Sequence, residues 1–115
     1  MMITLLKSKI HRARVTGALL DYEGSISLCP DLAAVAGILP WERVDIYNIT
    51  TGSRFSTYMI PGSPGEVCLN GAAARLVQPG DLIIIAAYCS LPAEEAGKHH
   101  PRIVFVDEEN RPSLD

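Results

Sequence analysis

An unbroken apolar run at residues 82–88 constrains the fold of this chain more than any other segment. Its sequence is LIIIAAY, which is rich in isoleucine and free of charge. It has the length of a β-strand and lacks the polar alternation of a strand with one wet face, so we predict a strand buried on both faces. The run is much shorter than the roughly 18 apolar residues expected of a membrane-spanning helix.

The other extended segments are short and are separated by turn residues, a pattern typical of a barrel or sandwich. A short helix is predicted at residues 32–36, capped by Asp31 and ended by Gly37, and a helical turn at 93–96. We therefore predict a mainly β fold, a compact barrel with one or two short helices, and a polar, frayed end at residues 108–115. The further strands are predicted at residues 3–6, 10–16, 25–28, 44–50, 54–60, 67–69 and 103–106.

Composition and charge exclude several classes of protein. A chain of 115 residues with 48% hydrophobic residues suits a single domain, residues 1–115, whose core needs no disulfide or metal support. The net charge of −3 leaves no broad basic surface, so no nucleic-acid partner is expected. The apolar N-terminus precedes the cationic residues 7–14, the reverse of a secretory leader, and we expect a cytoplasmic protein with no membrane partner.

The residue types that most often bind metals are poorly placed to do so. Cys29, Cys68 and Cys89 form no C-x-x-C pair, and each lies in or beside a strand-like segment, as is typical of reduced, partly buried thiols. His99 and His100 are adjacent and would point to opposite sides of a strand. We therefore expect no metal site.

The Gly24-Ser25 dipeptide carries the chemistry of most interest. A serine hydroxyl can attack the carbonyl that precedes it and replace the amide with an ester, a step that backbone strain assists. Glycine in front of the serine permits backbone angles closed to other residues. β-Elimination and loss of ammonia would then leave a pyruvoyl group at residue 25. Most Gly-Ser pairs are ordinary turns, so the dipeptide alone leaves both interpretations open.

The chain resembles the bacterial aspartate 1-decarboxylases over nearly its whole length. Each matching segment is weak alone, but their order and spacing together are specific. The segments are residues 9–12 (KIHR), 22–25 (YEGS), 36–39 (AGIL), 44–48 (VDIYN), 52–58 (GSRFSTY), 70–74 (NGAAA) and 80–85 (GDLIII).

The resemblance implies a double-psi β barrel that cuts itself between Gly24 and Ser25 into a β chain, residues 1–24, and an α chain, residues 25–115. It implies a pyruvoyl group derived from Ser25, which forms a Schiff base with the amine of aspartate, and no metal or dissociable cofactor. The implied product is β-alanine for pantothenate synthesis, and the implied assembly is a homotetramer with active sites between subunits. It leaves open whether the cut is spontaneous or needs a helper protein.

The resemblance also assigns roles to three cationic residues. Arg54 suits a substrate carboxylate because a guanidinium can bind it through two parallel hydrogen bonds. Lys9 and His11 are two residues apart, share one face of a strand and by resemblance line the anionic pocket. The alternative for all three is a solvated position on an exposed strand.

Further roles fall on the segments around residues 57 and 70. Tyr58 by resemblance donates a proton to the substrate carbanion. By resemblance Thr57 assists processing and contacts substrate, although regular alternation places it on the face opposite Arg54 and Tyr58. The remaining candidates are the substrate-binding turn Asn70, Gly71, Ala72 and Ala73, and the loop residues Tyr22 and Glu23.

Two other functions stay open at this point. The first is a small β-barrel binding or regulatory module that has lost processing, which would have no need for Ser25, Arg54 and Tyr58 together. The second is a serine hydrolase with Ser25 as its nucleophile, but the chain lacks a G-x-S-x-G elbow. One departure from the resemblance is Tyr47, which stands where some relatives carry tryptophan.

Overall fold

The computed structural model describes residues 1–113, which form eight β-strands and three short helices. This confirms the predicted mainly β class with few short helices. Within residues 1–113, no helix has the length and apolarity needed to cross a membrane. The strands are β1 Met2–Arg14, β2 Gly17–Leu19, β3 Ser25–Leu28, β4 Arg43–Asn48, β5 Arg54–Pro61, β6 Val67–Asn70, β7 Leu82–Pro92 and β8 Arg102–Phe105; the helices are α1 Pro30–Ala36, a 3₁₀ helix Gly71–Leu76 and α2 Ala93–Ala96.

The strands form one mixed sheet in the order β2-β6-β3-β5-β4-β7-β1-β8. The neighbours β1 and β8, β2 and β6, and β3 and β5 run parallel, whereas the other neighbours run antiparallel. Parallel neighbours cannot be joined by a tight hairpin, so the chain must cross over between them. This mixed, crossed-over sheet is consistent with the double-psi β barrel.

β1 is one long strand where two were predicted. Its pairing with β7 shifts register between Leu6 and Ser8 and again between Ile10 and Ala13. The second irregularity contains Arg12, whose φ of 66° is left-handed. Bulges of this kind absorb unpaired residues while the ladder resumes on either side, so the gap between the two predicted strands does not end β1.

Helix α1 begins differently from its prediction. Cys29 occupies the N-cap and makes no side-chain capping bond, Pro30 follows at the first helical position, and Asp31 lies inside the first turn. The predicted Asp31 cap is therefore wrong, because proline's fixed φ sets the start of the helix one residue earlier. The predicted end is confirmed, since Gly37 has a φ of 72° and its N–H bonds to the carbonyl of Ala34.

The hydrophobic core is formed mainly by strand residues, to which α1 adds Leu32, Ala33 and Ala36. On β7, Ile83, Ile85 and Ala87 are fully buried, whereas Ile84 is only partly buried and Tyr88 is 42% exposed. Burial on both faces is therefore confirmed only in part, because the second face of β7 carries the partly open side chains. The other core residues without measurable exposure include Ile10, Ala13, Ile26, Leu28, Ile46, Val67 and Leu69.

The polar end is ordered through residue 113, so its predicted fraying is wrong there; residues 114–115 lie outside the described part. Asn110 is 3% exposed. Its side chain accepts a hydrogen bond from the Arg14 N–H at 2.8 Å and donates to the Arg14 carbonyl at 2.8 Å and to Gly65 at 3.1 Å. The Asn110 amide pairs with both the N–H and the carbonyl of Arg14, as the backbone of a neighbouring strand would. These bonds hold a segment whose polar composition predicts fraying.

Candidate active site

Ser25 begins strand β3, which lies between β6 and β5. Gly24 is exposed, whereas Ser25 is 1% exposed, so the bond between them passes from the surface into the interior. The Ser25 hydroxyl donates to the carbonyl of Glu23 at 3.0 Å and accepts from Nδ2 of Asn70 at 2.9 Å. Its oxygen is therefore held in one place on a buried ladder, where Ser25 stands opposite Asn70.

The Asn70 side chain is 1% exposed and makes three hydrogen bonds. Besides Ser25, its Nδ2 donates to the Ser27 hydroxyl at 3.0 Å. Its Oδ1 accepts from Sγ of Cys68 at 3.4 Å. Burial raises the pKa of the Cys68 thiol, and the charge of Glu66 raises it further, so the thiol stays protonated as a donor. These contacts fix the direction of the amide toward Ser25.

Gly71 presses its backbone against the loop that precedes Ser25. A Cβ at residue 71 would lie 2.6 Å from the Gly24 nitrogen, 2.7 Å from its Cα and 2.8 Å from the Tyr22 carbonyl oxygen. The φ of Gly71 is 65°, a conformation that other residues adopt at a cost. Only glycine fits here without moving the loop.

A cleft of about 340 Å³ opens beside Gly24. We call it the Gly24 cleft. It gathers residues from the loop before β3, from β5 and from the 3₁₀ helix, and five of them were predicted as site residues from the sequence. Its lining is Gly24, Phe55, Ser56, Thr57, Tyr58, Ala72, Ala73 and Leu76.

Strand register explains why distant segments meet in the Gly24 cleft. β3 and β5 run parallel, with Ile26 opposite Met59. Following both strands toward their N-termini brings Ser25 alongside Tyr58 and Gly24 alongside Thr57. The pairing of β5 with β4 runs from Tyr58 to Arg54 without a register shift. Thr57 and Arg54 therefore lie on opposite faces of β5, as regular alternation predicts.

The ring of Tyr58 stacks on that of Trp41, with centroids 5.7 Å apart and an interplanar angle of 29°. Trp41 is 71% exposed, and its φ is 72°. Because one face of the Tyr58 ring lies against the Trp41 ring, the stack limits the directions in which the Tyr58 hydroxyl can point. Sequence reasoning did not single out Trp41.

Arg54 lies outside the Gly24 cleft of its own chain. Its guanidinium carbon lies 4.0 Å from the centroid of the Tyr47 ring. The Tyr47 hydroxyl is 2.6 Å from that of Tyr88. Burial and then the hydrogen bond to Tyr88 raise the pKa of Tyr47 to about 12. Arg54 thus rests on a neutral aromatic face.

Lys9 and His11 also lie outside the lining of the Gly24 cleft. On β1 they stand opposite Ile103 and Phe105 of β8. The His11 ring meets the Phe105 ring edge to face at 5.7 Å, and its buried Nδ1 has no hydrogen-bond partner within residues 1–113. Burial, and after it the charges of Lys9 and Arg12, lowers the pKa of His11. One chain therefore does not bring the three predicted cationic residues to Gly24.

Residues 1–113 match the family model described as aspartate decarboxylase. The chain belongs to the aspartate decarboxylase family. It is 62% identical over 111 residues to the aspartate 1-decarboxylase of Bdellovibrio bacteriovorus, covering 96% of this chain and 90% of that protein. It is 58% identical over 113 residues to that of Caldicellulosiruptor bescii, covering 96% and 88%, and 57% identical over 109 residues to that of Legionella pneumophila strain Paris, covering 93% and 82%. The resemblance read from the sequence is confirmed.

Two polar contacts in this member of the aspartate decarboxylase family were missed by sequence reasoning. Ser27 and Cys68 both contact the Asn70 amide. A signal for Ser27 was present, because Ser25 and Ser27 are two residues apart on one strand and so point to the same side. Cys68 carried no signal, since a lone buried cysteine is more often a packing residue.

Proposed function

We propose that this chain decarboxylates L-aspartate to β-alanine and CO₂ for pantothenate synthesis, after cutting itself between Gly24 and Ser25. The three relatives are all aspartate 1-decarboxylases, which supports the reaction. The observation that carries the proposal is the buried Ser25 hydroxyl, bonded to Asn70, next to the Gly24 cleft that contains Tyr58.

The cut begins at the Ser25 hydroxyl. Its oxygen bonds to the Gly24 carbonyl carbon, the bond from that carbon to the Ser25 nitrogen breaks, and the hydroxyl proton passes to the nitrogen. Removal of the Ser25 Cα proton and cleavage of the Cβ–O bond then release the Gly24 carboxylate. Water replaces the nitrogen, ammonia leaves, and a pyruvoyl group remains at residue 25.

Local geometry supports this sequence of steps. The Asn70 N–H holds the Ser25 oxygen, while the Glu23 carbonyl accepts a hydrogen bond from its proton. The backbone of Gly71 confines Gly24 from the other side. In this proposal Thr57, which lines the same cleft, donates to the oxyanion that forms at the Gly24 carbonyl.

The residues around Ser25 fit a pyruvoyl group, since the side chain is small, buried and next to an open cleft. Such a group supplies an electrophilic carbonyl that withdraws the electrons of the bond to be broken. Tyr58 then returns a proton to the substrate carbon after CO₂ leaves, and Trp41 fixes the plane of its ring. The backbone N–H groups of Ala72 and Ala73 bind the substrate from the 3₁₀ helix.

We further propose a homotetramer whose active sites combine residues of neighbouring subunits. Aspartate carries two carboxylates, yet Lys9, His11 and Arg54 lie outside the Gly24 cleft of their own chain. Large apolar side chains are also exposed to an extent that suits an interface. They include Leu19 at 55%, Leu20 at 50%, Tyr22 at 56%, Leu39 at 67% and Trp41 at 71%.

The two alternative functions are less well supported. Within residues 1–113 the Ser25 hydroxyl bonds to an amide and a carbonyl and to no histidine, so a serine hydrolase would lack its general base. A non-catalytic module would have no use for the buried contacts of Ser25, which cost desolvation to maintain.

Intact mass under denaturing conditions tests the proposal. We expect two fragments, residues 1–24 and residues 25–115, the second lighter by one ammonia than simple hydrolysis gives. Ser25→Ala should stay whole and release no CO₂ from aspartate, whereas the matched control Ser90→Ala, at an exposed serine on β7, should be cut and active. A single uncut chain after prolonged warming would remove spontaneous self-cleavage, and would leave either a precursor that needs a helper protein or a barrel without this chemistry.

A further inference from the structure

Two tyrosines meet on the outer face of neighbouring strands. Tyr47 lies on β4 and Tyr88 on β7, and their hydroxyl oxygens are 2.6 Å apart. The register places Ile84, not Tyr88, opposite Tyr47, so the two side chains lean along the sheet until their hydroxyls touch. We call Tyr47 and Tyr88 the tyrosine pair. Its hydrogen bond anchors the far end of the Tyr47 ring.

Arg54 rests on the ring that the tyrosine pair anchors. It stands opposite Tyr47 in the ladder between β4 and β5, and its guanidinium carbon lies 4.0 Å from the ring centroid. Stacking uses the flat face of a guanidinium and leaves its N–H edge available for a carboxylate. Within residues 1–113, no carboxylate forms an ion pair with Arg54.

The acidic side chain beside the Tyr47 hydroxyl is engaged elsewhere. Asp45 accepts a hydrogen bond from the Ser56 hydroxyl at 2.8 Å and lies 3.9 Å from Nε of Arg43. Its other oxygen lies 3.4 Å from the Tyr47 hydroxyl, and either hydroxyl can donate in the 2.6 Å bond of the tyrosine pair. The raised pKa of Tyr47 keeps its phenol neutral, and a neutral phenol does not neutralise Arg54.

We propose that the tyrosine pair is a positioning device that orders Arg54 for a carboxylate of the substrate. The inference rests on the proposed role of Arg54 in substrate binding. A long side chain that is ordered before binding loses less conformational freedom when the ligand arrives. Tyr88 does not touch the substrate; it acts through Tyr47, which acts through Arg54.

Kinetics of fully processed variants provide the test, with processing checked by intact mass. Tyr47→Leu removes the ring, and we expect the KM for aspartate to rise about tenfold. Tyr88→Phe removes only the anchoring hydroxyl, and we expect a rise of about threefold with kcat changed less than about twofold. Ser90→Ala, an exposed change two residues from Tyr88, serves as the control with an unchanged KM.

A double variant separates positioning from general structure. If Tyr88 acts only through the Tyr47 hydroxyl, Tyr88→Phe should add nothing to Tyr47→Phe. Equal KM values in Tyr88→Phe and the parent, additive effects in the double variant, or a loss of kcat alone would each overturn the proposal.

A readout that needs no catalysis keeps this inference apart from the proposed function. NMR shifts of the Arg54 side chain report the ring current of Tyr47, and we expect the upfield displacement to diminish in Tyr88→Phe. Arg54 side-chain chemical shifts that are the same in Tyr88→Phe as in the parent would also overturn the positioning role. If the parent chain releases no CO₂ from aspartate while the Arg54 shifts still change, the proposed function fails and the ordering of Arg54 by the tyrosine pair stands.

Discussion

The side-chain amide of Asn70 donates a hydrogen bond across 2.9 Å to the hydroxyl oxygen of Ser25, a residue 45 positions earlier in the chain. The same nitrogen binds Ser27, and the amide oxygen binds the Cys68 thiol. A donor fixed in this way holds the serine oxygen without removing its proton. The rate of the proposed cut should therefore depend strongly on Asn70, which positions the Ser25 oxygen. It should depend less on Ser27 and Cys68, which only contact the Asn70 amide.

Asn70→Ala should slow the cut at Gly24. The change removes the only side-chain donor that reaches the Ser25 hydroxyl within residues 1–113, and loss of one such hydrogen bond corresponds to about tenfold in rate. The fraction of cut chain, followed by intact mass over time, measures the effect. Ser27→Ala is the matched control, because it removes the second partner and leaves the bond to Ser25; a cut as fast in Asn70→Ala as in the parent would contradict the expectation.

Gly71→Ala should lower the free energy of unfolding by more than the cost of placing alanine at a left-handed φ. At a left-handed φ an ordinary residue costs about 1–2 kcal/mol. Gly52→Ala incurs that cost without a clash, since its φ is 85° and nothing lies within 4 Å of the added Cβ. Gly71→Ala adds a clash with the backbone of Gly24.

Urea unfolding in the uncut Ser25→Ala background measures both glycine variants without interference from processing. We expect Gly71→Ala to lose at least about 1 kcal/mol more unfolding free energy than Gly52→Ala. Equal losses would show that the loop before Ser25 moves aside freely.

Tyr58→Phe should be cut normally and yet turn over slowly. The phenol is the proposed proton donor, and removal of a positioned acid lowers kcat by about a hundredfold or more. The phenylalanine ring preserves the stack on Trp41, so the substrate cleft should keep its shape. Turnover per mole of pyruvoyl group is the measurement, and a kcat equal to that of the parent would assign the proton to another group.

His11 should make stability depend on pH. Its pKa lies below the ordinary 6.5 because of burial first, then Lys9 and Arg12; Asp107 and Glu108 line the same hollow. As the pH falls below about 6.5, the unfolded chain binds a proton that the folded chain resists, so the free energy of unfolding falls until the pH passes the lowered folded pKa.

Urea unfolding at about pH 7.5 and about pH 5.5 checks the His11 effect. His11→Gln should show a smaller loss of stability over this interval than the parent chain. The two other histidines remain in both proteins, so the difference between variant and parent belongs to residue 11. An equal loss would mean that His11 titrates alike in the folded and unfolded chains.

Local patterns predicted local structure well. β3 was predicted with its observed bounds, because alternation and flanking turns are encoded within a few residues. The cap of α1 was misassigned because Asp31 and Pro30 compete for the start of the helix. The order around Asn110 was missed, since its partners Arg14 and Gly65 lie far away in sequence.

Local sequence patterns did not predict which site residues lie close together; the family resemblance did. The resemblance, now confirmed at the family level, named Gly24, Thr57 and Tyr58, and the structure places them around one cleft. Their roles remain predictions. The contact between Gly71 and Gly24 arises from the register of β3 and β6, which no short-range pattern in the sequence encodes.

The position of β3 between β6 and β5 has a consequence for the order of events during protein synthesis. A ribosome that has made only the first half of the chain has already joined Gly24 to Ser25, but it has not yet made Asn70 or Gly71. The surroundings that the Ser25 hydroxyl needs therefore arise late in translation, after β6 has emerged and paired. Nascent chains that stop short of residue 67 should remain whole, so translation would set the earliest moment of the proposed cut.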